Sequence, residues 1–397
     1  MSPYYFDYNA TTPLAPEVLR EMEPYLTRHF GNPSSFYQLG RAANRALRQA
    51  RKLTASLLGA ADDNEIIFTS GGTESNNTAI RSALSISGKK QILTSAVEHS
   101  SVRNVAGQLR KEGYQITEIG VDAQGRLNLE QLREAVSDQT AVISLMMANN
   151  ETGVIFPVEE AGKIAKEKGI FFHVDAVQAA GKIPLHLKDS AVDFLSVSAH
   201  KFYGPKGVGV LYVKKGTGFS PLISGGSQER GRRAGTENVP GIVGLGAASE
   251  WIQKELREEP ARLKKLQVEF ETAIRSRISG VTVSGERADR LPNTSHLRWE
   301  GIEAETLLIA LDQREIYASS GSACMSGSRR PSHVLKAMGC TDEAAASAVR
   351  FSFGKYTTEK EIQFLAEELS RLVTHLRSGN GKSHAHFSER FAKEGVL

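Results

Sequence analysis

Lys201 is the residue of this sequence best placed for covalent chemistry, because it follows a short apolar segment, residues 193–198. That segment has the composition of a buried strand, and the glycine-punctuated residues 204–213 predict a turn into another strand. A lysine held at a rigid strand end can lose its proton by desolvation and attack a carbonyl carbon, as covalent binding of pyridoxal 5′-phosphate (PLP) requires. Ser198 and His200 are placed to donate hydrogen bonds to a phosphate. Taken alone, the same residues could equally form an ordinary turn.

Further polar residues follow other apolar segments of the same region. In chain order they are Gly72, Thr73, His99, Asn150, Asp175 and Gln178. A glycine-rich helix start suits a phosphate, and an aspartate can keep a pyridinium nitrogen protonated. His99 could stack on a ring or transfer protons, while Asn150 could hold a carboxylate or a ring hydroxyl. Each residue alone could be a cap or a turn residue, but the set together supplies what PLP needs.

The elements that must position these residues alternate between apolar strands and amphipathic helices. Seven segments read as strands: residues 66–70, 91–95, 115–120, 141–147, 171–175, 194–198 and 208–213. Such alternation predicts an α/β fold with a mostly parallel seven-stranded sheet that is covered by helices on both faces. Ligands bind outside the carboxyl ends of the strands in such sheets. We therefore expect the polar residues to share one edge of the sheet.

Composition narrows the class of protein. The chain has 397 residues, and its 49 basic and 45 acidic side chains are interspersed, which does not favour a nucleic-acid partner. Its two cysteines show no metal-ligand spacing and cannot form a disulfide framework, so we expect a reduced, cytoplasmic protein without a bound metal. We also expect no membrane association, because no run of about 18 apolar residues occurs.

After Pro260 the long alternation of strands and helices ends, and shorter strands and helices predict a second domain. We therefore expect a large α/β domain over residues 14–259 and a smaller α+β domain formed by residues 1–13 and 260–377. The polar residues 378–397 are expected to form a flexible tail.

Three more candidates lie outside the strand-end set. Cys324 stands among small residues, where an accessible thiolate is favoured, although a lone cysteine is more often structural and Cys340 fits that description better. The planar guanidinium of Arg350 suits a carboxylate, or else a surface ion pair. Thr236 lies in a glycine- and arginine-rich segment, residues 225–238, that either binds an anion or is solvated.

The order of these motifs resembles that of the cysteine desulfurases, which belong to the aminotransferase class V group of fold-type I PLP enzymes. The resemblance runs from Asp7 to about Leu376. Ser-Ser-Gly-Ser-Ala-Cys at residues 319–324 is similar to the long, mobile cysteine loop of the group I members. The resemblance implies the PLP-dependent transferase fold type I, a homodimer and L-cysteine as substrate.

It also implies a role for each candidate residue. Sulfur would pass from L-cysteine to Cys324 as a persulfide, with L-alanine as the other product, while Lys201 and His99 would handle protons. The persulfide would serve sulfur-acceptor proteins such as an iron–sulfur scaffold protein. The implied cofactor ligands are Lys201 as the covalent attachment, Asp175, Gln178, His99 and Asn150 around the ring, and Gly72, Thr73, Ser198 and His200 at the phosphate, with Thr236 reaching the phosphate of the partner subunit. The implied substrate ligands are Asn150 and Arg350.

Three other functions stay open on the sequence alone. A selenocysteine lyase would use the same scaffold. A class V aminotransferase or another PLP lyase would not need Cys324 for turnover. A non-catalytic module for sulfur trafficking would bind no cofactor and would be colourless.

Overall fold

The computed structural model describes residues 3–320 and 331–378. The strands in these ranges are β1 (Tyr4–Tyr5), β2 (Ile66–Thr69), β3 (Gln91–Ser95), β4 (Gln115–Ile119), β5 (Thr140–Met146), β6 (Phe171–Asp175), β7 (Phe194–Ser198), β8 (Gly209–Val213), β9 (Val281–Val283), β10 (Thr294–Trp299), β11 (Ile316–Tyr317) and β12 (Ala348–Ser352). The α-helices are α1 (Pro16–Thr27), α2 (Gln38–Leu58), α3 (Gly72–Ser87), α4 (Ser100–Lys111), α5 (Leu129–Ala135), α6 (Val158–Glu167), α7 (Val239–Glu255), α8 (Glu259–Arg277), α9 (Ala304–Asp312), α10 (His333–Ala337), α11 (Asp342–Ala346) and α12 (Glu359–Arg377).

Seven strands form one sheet in the order β2-β8-β7-β6-β5-β3-β4. Every neighbouring pair is parallel except the two that involve β8, which runs antiparallel to both β7 and β2. The predicted seven-stranded, mostly parallel sheet is therefore confirmed. Because β8 reverses the direction twice, β2 runs the same way as β7. The carboxyl ends of all strands except β8 meet at one edge.

Helices cover both faces of this sheet. Leu195 and Val197 of β7 pack in a core cluster with α2 side chains such as Leu47, whereas Phe194 packs in a different cluster with α3 side chains such as Ile80. Successive side chains of a strand point to opposite faces, so the two clusters lie on opposite sides of the sheet. Burial on both faces explains why the inner strands such as β5 and β7 are almost wholly buried, whereas the edge strand β4 carries polar, exposed residues.

A second, antiparallel sheet has the order β12-β10-β9 and a core of its own. Phe270 of α8, Trp299 of β10 and Phe351 of β12 are fully buried in that core. The amino-terminal strand β1 pairs in parallel with β11, and Phe6 beyond it packs in the same core. The chain start thus joins the elements of the second half, while the exact domain boundaries remain a prediction.

Pro260 lies in the first turn of α8 rather than in a linker. Proline is tolerated there because the first helical N–H groups have no intrahelical acceptor. Within residues 3–320 and 331–378, no helix is both long enough and apolar enough to cross a bilayer.

Candidate active site

Lys201 ends a single 3-10 turn that follows β7 at the shared carboxyl edge. Its Nζ donates hydrogen bonds to the carbonyl oxygens of Asn9 and Ala10, each at 2.7 Å. The side chain is half-buried. The amine is therefore held in place by the amino-terminal segment, which reaches across to the sheet edge.

Asp175 is the last residue of β6, the strand next to β7, and is 6 % exposed. Its Oδ2 accepts a hydrogen bond from Asn76 Nδ2 at 2.7 Å, and its Oδ1 accepts one from the backbone N–H of Val177 at 3.0 Å. The two donors fix the orientation of the carboxylate. Lys201 and Asp175 therefore lie at the same edge on neighbouring strands, as the sequence predicted.

The glycine-rich turn after β2 begins helix α3 at Gly72. A Cβ atom added to Gly72 would lie 2.6 Å from Val177 Cγ2, and one added to Gly71 would lie 3.8 Å from Ser198 Oγ. Only glycine allows so close a packing against Val177. The unpaired N–H groups at the start of α3, with Thr73 exposed among them, thus lie beside the Ser198 hydroxyl.

His200 contacts the amino-terminal segment, because its Nδ1 lies 3.1 Å from Thr11 Oγ1. Burial, reinforced by the positive charge of Lys201, lowers the pKa of His200 to about 4. The ring is therefore neutral near pH 7. It can offer a hydrogen bond to a phosphate but no positive charge.

His99 caps the start of α4, and its Nδ1 accepts a hydrogen bond from the backbone N–H of Ser101 at 3.1 Å. The Ser101 hydroxyl oxygen lies 2.8 Å from the same nitrogen. The Ser101 hydroxyl oxygen also accepts a hydrogen bond from Asn76 Nδ2, the same amide that donates to Asp175. His99 is thus linked to the carboxylate by a continuous chain of hydrogen bonds.

Two buried residues at this edge, Asn9 and Lys182, were assigned no role from the sequence. Lys182 Nζ donates to Asn9 Oδ1 at 2.9 Å and to Gln178 Oε1 at 2.7 Å, and Gln178 Nε2 donates to the Asn9 carbonyl oxygen at 2.9 Å. Burial, together with the charges of Lys201 and Arg350, lowers the pKa of Lys182 well below its usual value. In the sequence, the spacing of four residues between Gln178 and Lys182 is the one feature that indicates a contact between them.

Arg350 of β12 is 3 % exposed, so it is not part of a surface ion pair. Its Nη2 donates to Asp7 Oδ1 at 2.6 Å and its Nη1 donates to the carbonyl oxygen of Asn150 at 2.7 Å. Its buried Nε has no hydrogen-bond partner among the residues that the structure describes. The structure therefore brings together Arg350 and Asn150, the two residues expected to bind substrate.

Cys324 lies outside the described residues, but the residues that flank residues 321–330 are placed. On one side, Ser319 and Arg350 exchange two backbone hydrogen bonds at 2.7 and 3.2 Å. On the other side, His333 Nε2 lies 3.0 Å from the carbonyl oxygen of Glu98, the residue before His99. The chain therefore leaves the described site next to Arg350 and re-enters it near His99.

Thr236 is exposed and lines a cavity of about 210 Å³ with Ser70, Arg233 and Glu237. Arg233 forms a two-pronged ion pair with Glu74 of α3, with N–O distances of 2.9 and 3.2 Å. The segment that carries Thr236 is thus fastened to the helix that begins at Gly72. Contact between Thr236 and a phosphate remains a prediction.

The residues at the edge fit PLP. The ionised carboxylate of Asp175 is a hydrogen-bond acceptor, which suits the protonated ring nitrogen of PLP. Lys201 offers an amine for covalent attachment, and the start of α3 together with Ser198 offers donors for the phosphate. The close contact of Gly72 with Val177 brings that helix start near the end of β6.

Comparison with known proteins agrees with this geometry. The profile of the aminotransferase class-V family matches residues 4–365. A cysteine desulfurase of Trichormus azollae is 48 % identical over 379 residues, which are 95 % of this chain and 94 % of that protein. The cysteine desulfurase NifS of Azotobacter vinelandii is 46 % identical over 388 residues, 96 % of each chain. A solved NifS-like protein superposes with a TM-score of 0.88 at 38 % identity and covers 94 % of this chain and 99 % of its own.

These similarities extend over nearly the whole chain and include the seven-stranded sheet with its carboxyl edge. The predicted PLP-dependent transferase fold is thereby confirmed. The chain belongs to the aminotransferase class-V family, in the branch that contains the cysteine desulfurases.

Proposed function

We propose that this protein is a PLP-dependent cysteine desulfurase, which converts L-cysteine into L-alanine and leaves the sulfur as a persulfide on Cys324. The observation that carries the proposal is the meeting of Lys201 and Asp175 at one edge, with Arg350 paired through its backbone to Ser319, two residues before the segment 321–330 that holds Cys324. The names of relatives that match 95 % of the chain support the same reaction.

PLP would supply an electron sink for the pair of electrons released at the substrate Cα. Lys201 would hold it covalently, Asp175 would keep its ring nitrogen protonated, and His99 and Gln178 would contact the ring. The phosphate ligands would be Gly72, Thr73, Ser198, His200 and Thr236, the last across the dimer. The start of α3 would contribute favourable potential for the phosphate.

Arg350 and Asn150 would hold the substrate carboxylate, and Arg350 is also hydrogen-bonded through its backbone to Ser319, close in sequence to Cys324. In the sulfur-transfer step the Cys324 thiolate forms a bond to the substrate sulfur, and the bond between that sulfur and Cβ breaks. The electron pair stays on Cβ, which then takes up a proton. The sum converts one cysteine and one enzyme thiol into alanine and an enzyme persulfide, without an external oxidant or reductant.

The test compares the native protein with Cys324→Ala and with Cys340→Ala, which removes the other cysteine. We expect all three to be yellow when loaded with PLP, and only Cys324→Ala to lose the formation of alanine from cysteine. Full turnover in Cys324→Ala would favour an aminotransferase or another lyase, and a colourless native protein would contradict the PLP site.

The proposal extends to a homodimer that hands sulfur to acceptor proteins such as an iron–sulfur scaffold. Support for the dimer comes from large apolar side chains left exposed around α1 and the start of α2, where Leu26, Phe30 and Phe36 are 59, 74 and 93 % exposed. Apolar patches of this kind mark interaction surfaces. The acceptor and the cytoplasmic location remain predictions from the resemblance and the sequence.

A further inference from the structure

Asn76 of α3 is completely buried and has two partners that belong to different parts of the site. Its Nδ2 donates one hydrogen to Asp175 Oδ2 at 2.7 Å and the other to Ser101 Oγ at 2.8 Å. An ionised carboxylate can only accept, so the amide nitrogen and not the amide oxygen must face Asp175. Both hydrogens of the amide are therefore committed.

Ser101 connects Asn76 to His99 through its hydroxyl group. Its hydroxyl oxygen accepts from Asn76 and keeps one hydrogen, which it can donate to His99 Nδ1, 2.8 Å away. The backbone N–H of Ser101 also points at that nitrogen, at 3.1 Å, and an N–H can only donate. With two donors against it, Nδ1 must present its lone pair, and the proton of the neutral ring must lie on Nε2.

We propose that Asn76 and Ser101 are positioning residues that fix His99 as the Nε2–H tautomer and couple it to Asp175. A neutral ring in this form donates a hydrogen bond from Nε2 and has no lone pair there to accept a proton. Removal of the Cα proton then belongs to the Lys201 amine, and His99 acts as a donor toward substrate or cofactor. This inference rests on the proposed desulfurase function for its catalytic meaning, but the tautomer itself does not.

The fold alone does not account for Asn76. Its Oδ1 is buried without a hydrogen-bond partner among the residues that the structure describes, and an unpaired buried acceptor is unfavourable. An apolar side chain of similar shape would avoid the unpaired oxygen, but it would leave Asp175 Oδ2 and Ser101 Oγ without their amide donor. The amide therefore stabilises one arrangement of Asp175, Ser101 and His99 although its own oxygen stays unpaired.

The experiment observes the ring nitrogens of His99 in the full-length protein labelled with ¹⁵N-histidine, before and after addition of PLP. Two-bond ¹H–¹⁵N spectra at a pH where the ring is neutral distinguish the two tautomers, and His99→Gln identifies the signal. The variants are Ser101→Ala and Asn76→Leu. Their matched controls are Ser101→Thr, which keeps the hydroxyl, and Asn77→Leu, which removes a neighbouring amide that donates to the Thr73 carbonyl oxygen.

We expect the native protein and both controls to show Nε2–H alone. Ser101→Ala keeps the backbone N–H but loses the shorter of the two contacts to Nδ1, and Asn76→Leu leaves the Ser101 hydroxyl free to rotate, so we expect both variants to show an added fraction of the Nδ1–H form. For alanine formation we expect kcat to fall about tenfold in Ser101→Ala, which is the effect of one lost hydrogen bond, while KM changes little. Ser101→Thr should have a kcat close to that of the native protein. A proton on Nδ1 in the native protein, or a Ser101→Ala spectrum identical to the native one, overturns the inference. If the tautomers behave as expected but no alanine forms, the proposed function fails while the positioning role stands.

Discussion

Arg350 is a buried charge that is costly for the fold, and the function proposed for it is to bind the substrate carboxylate. A buried guanidinium must be compensated, and here Asp7 and the Asn150 carbonyl oxygen accept from its two terminal nitrogens. Both partners are themselves at the site edge, because Asp7 is close in sequence to Asn9 and Asn150 follows β5. The charge is therefore held in position before any substrate arrives.

Replacement of Arg350 by lysine tests this function. Lysine keeps the charge but cannot make the two-pronged contact, so we expect the KM for cysteine to rise by about 10- to 100-fold with a smaller change in kcat. Alanine formation over a range of cysteine concentrations measures both. Arg298→Lys on the neighbouring strand β10 is the control. An unchanged KM in Arg350→Lys would restrict Arg350 to a structural role.

The buried carboxyl group of Glu98 should make the free energy of unfolding depend on pH. The carboxyl is fully buried, and burial, with the negative charge of Asp175 also acting, raises its pKa to about 8. The folded state therefore holds a proton that the unfolded state has lost, and the free energy of unfolding should fall as pH rises from about 5 through about 8. Glu98→Gln keeps the acceptor for Ser95 and Met146 but cannot ionise.

Urea unfolding at several pH values across that window measures the effect. The native protein should lose stability relative to Glu98→Gln as pH rises, and the exposed-site variant Glu118→Gln should follow the native curve. Parallel curves for the native protein and Glu98→Gln would show that Glu98 ionises normally when folded.

At the scale of elements, His173 holds together the three strands that carry the site. Its Nδ1 lies 2.8 Å from Ser144 Oγ of β5 and its Nε2 lies 2.9 Å from Ser196 Oγ of β7, so the ring of this β6 residue bridges both neighbours. Burial lowers the pKa of His173 to about 3, and the ring stays neutral. Asp175 and Lys201 follow a few residues later, on the strands that this bridge joins.

His173→Phe should destabilise the fold by about 2–5 kcal/mol, because it leaves two buried hydroxyl groups without a partner. The triple variant with Ser144→Ala and Ser196→Ala should recover most of that loss, since no polar group is then left unpaired. Denaturant unfolding of the single and triple variants gives both values. If the triple variant is no more stable than His173→Phe, the loss comes from ring packing and not from hydrogen bonds.

The elements were predictable from sequence where their apolar runs are unambiguous. All seven strands of the large sheet agree with the predicted segments within one residue at each end, whereas the short helix α11 was missed because five residues carry too little periodicity. The contacts of Asn9 were not predictable, because Lys182 lies 173 residues away in sequence. Asn76 was missed for the same reason, since its amide gains meaning only when α3 lies between Asp175 and Ser101.

At the scale of the whole molecule, acid should weaken the fold through its buried histidines. Burial lowers the pKa of His173 and His296 to about 3 and that of His200 and His333 to about 4. Each ring is then unprotonated in the folded state and protonated in the unfolded state between about pH 6.5 and its own pKa, so stability falls as pH drops through that range. This slope is opposite in sign to that of Glu98, and together they favour an intermediate pH.

The proposed dimer is the property of the whole molecule that most directly affects the site. Phe30 and Phe36 leave apolar rings in solvent, which a second subunit would cover. We expect Phe36→Asp combined with Phe30→Asp to reduce the mass in sedimentation from that of two chains to that of one. Val268→Asp, at an apolar position on α8 that is 50 % exposed, should leave the dimer intact.

The double variant Phe30→Asp with Phe36→Asp also tests whether Thr236 contacts the phosphate of the partner subunit or of its own subunit. If Thr236 contacts the phosphate across the dimer, the separated subunits should bind PLP more weakly than the native protein, as measured by titration of the visible absorption, while their thermal stability stays high. If the separated subunits bind PLP as tightly as the dimer, each chain completes its own phosphate site. The donors at the start of α3 and Ser198 would then be sufficient, and the fastening of the Thr236 segment to Glu74 through Arg233 would serve the fold of a single subunit.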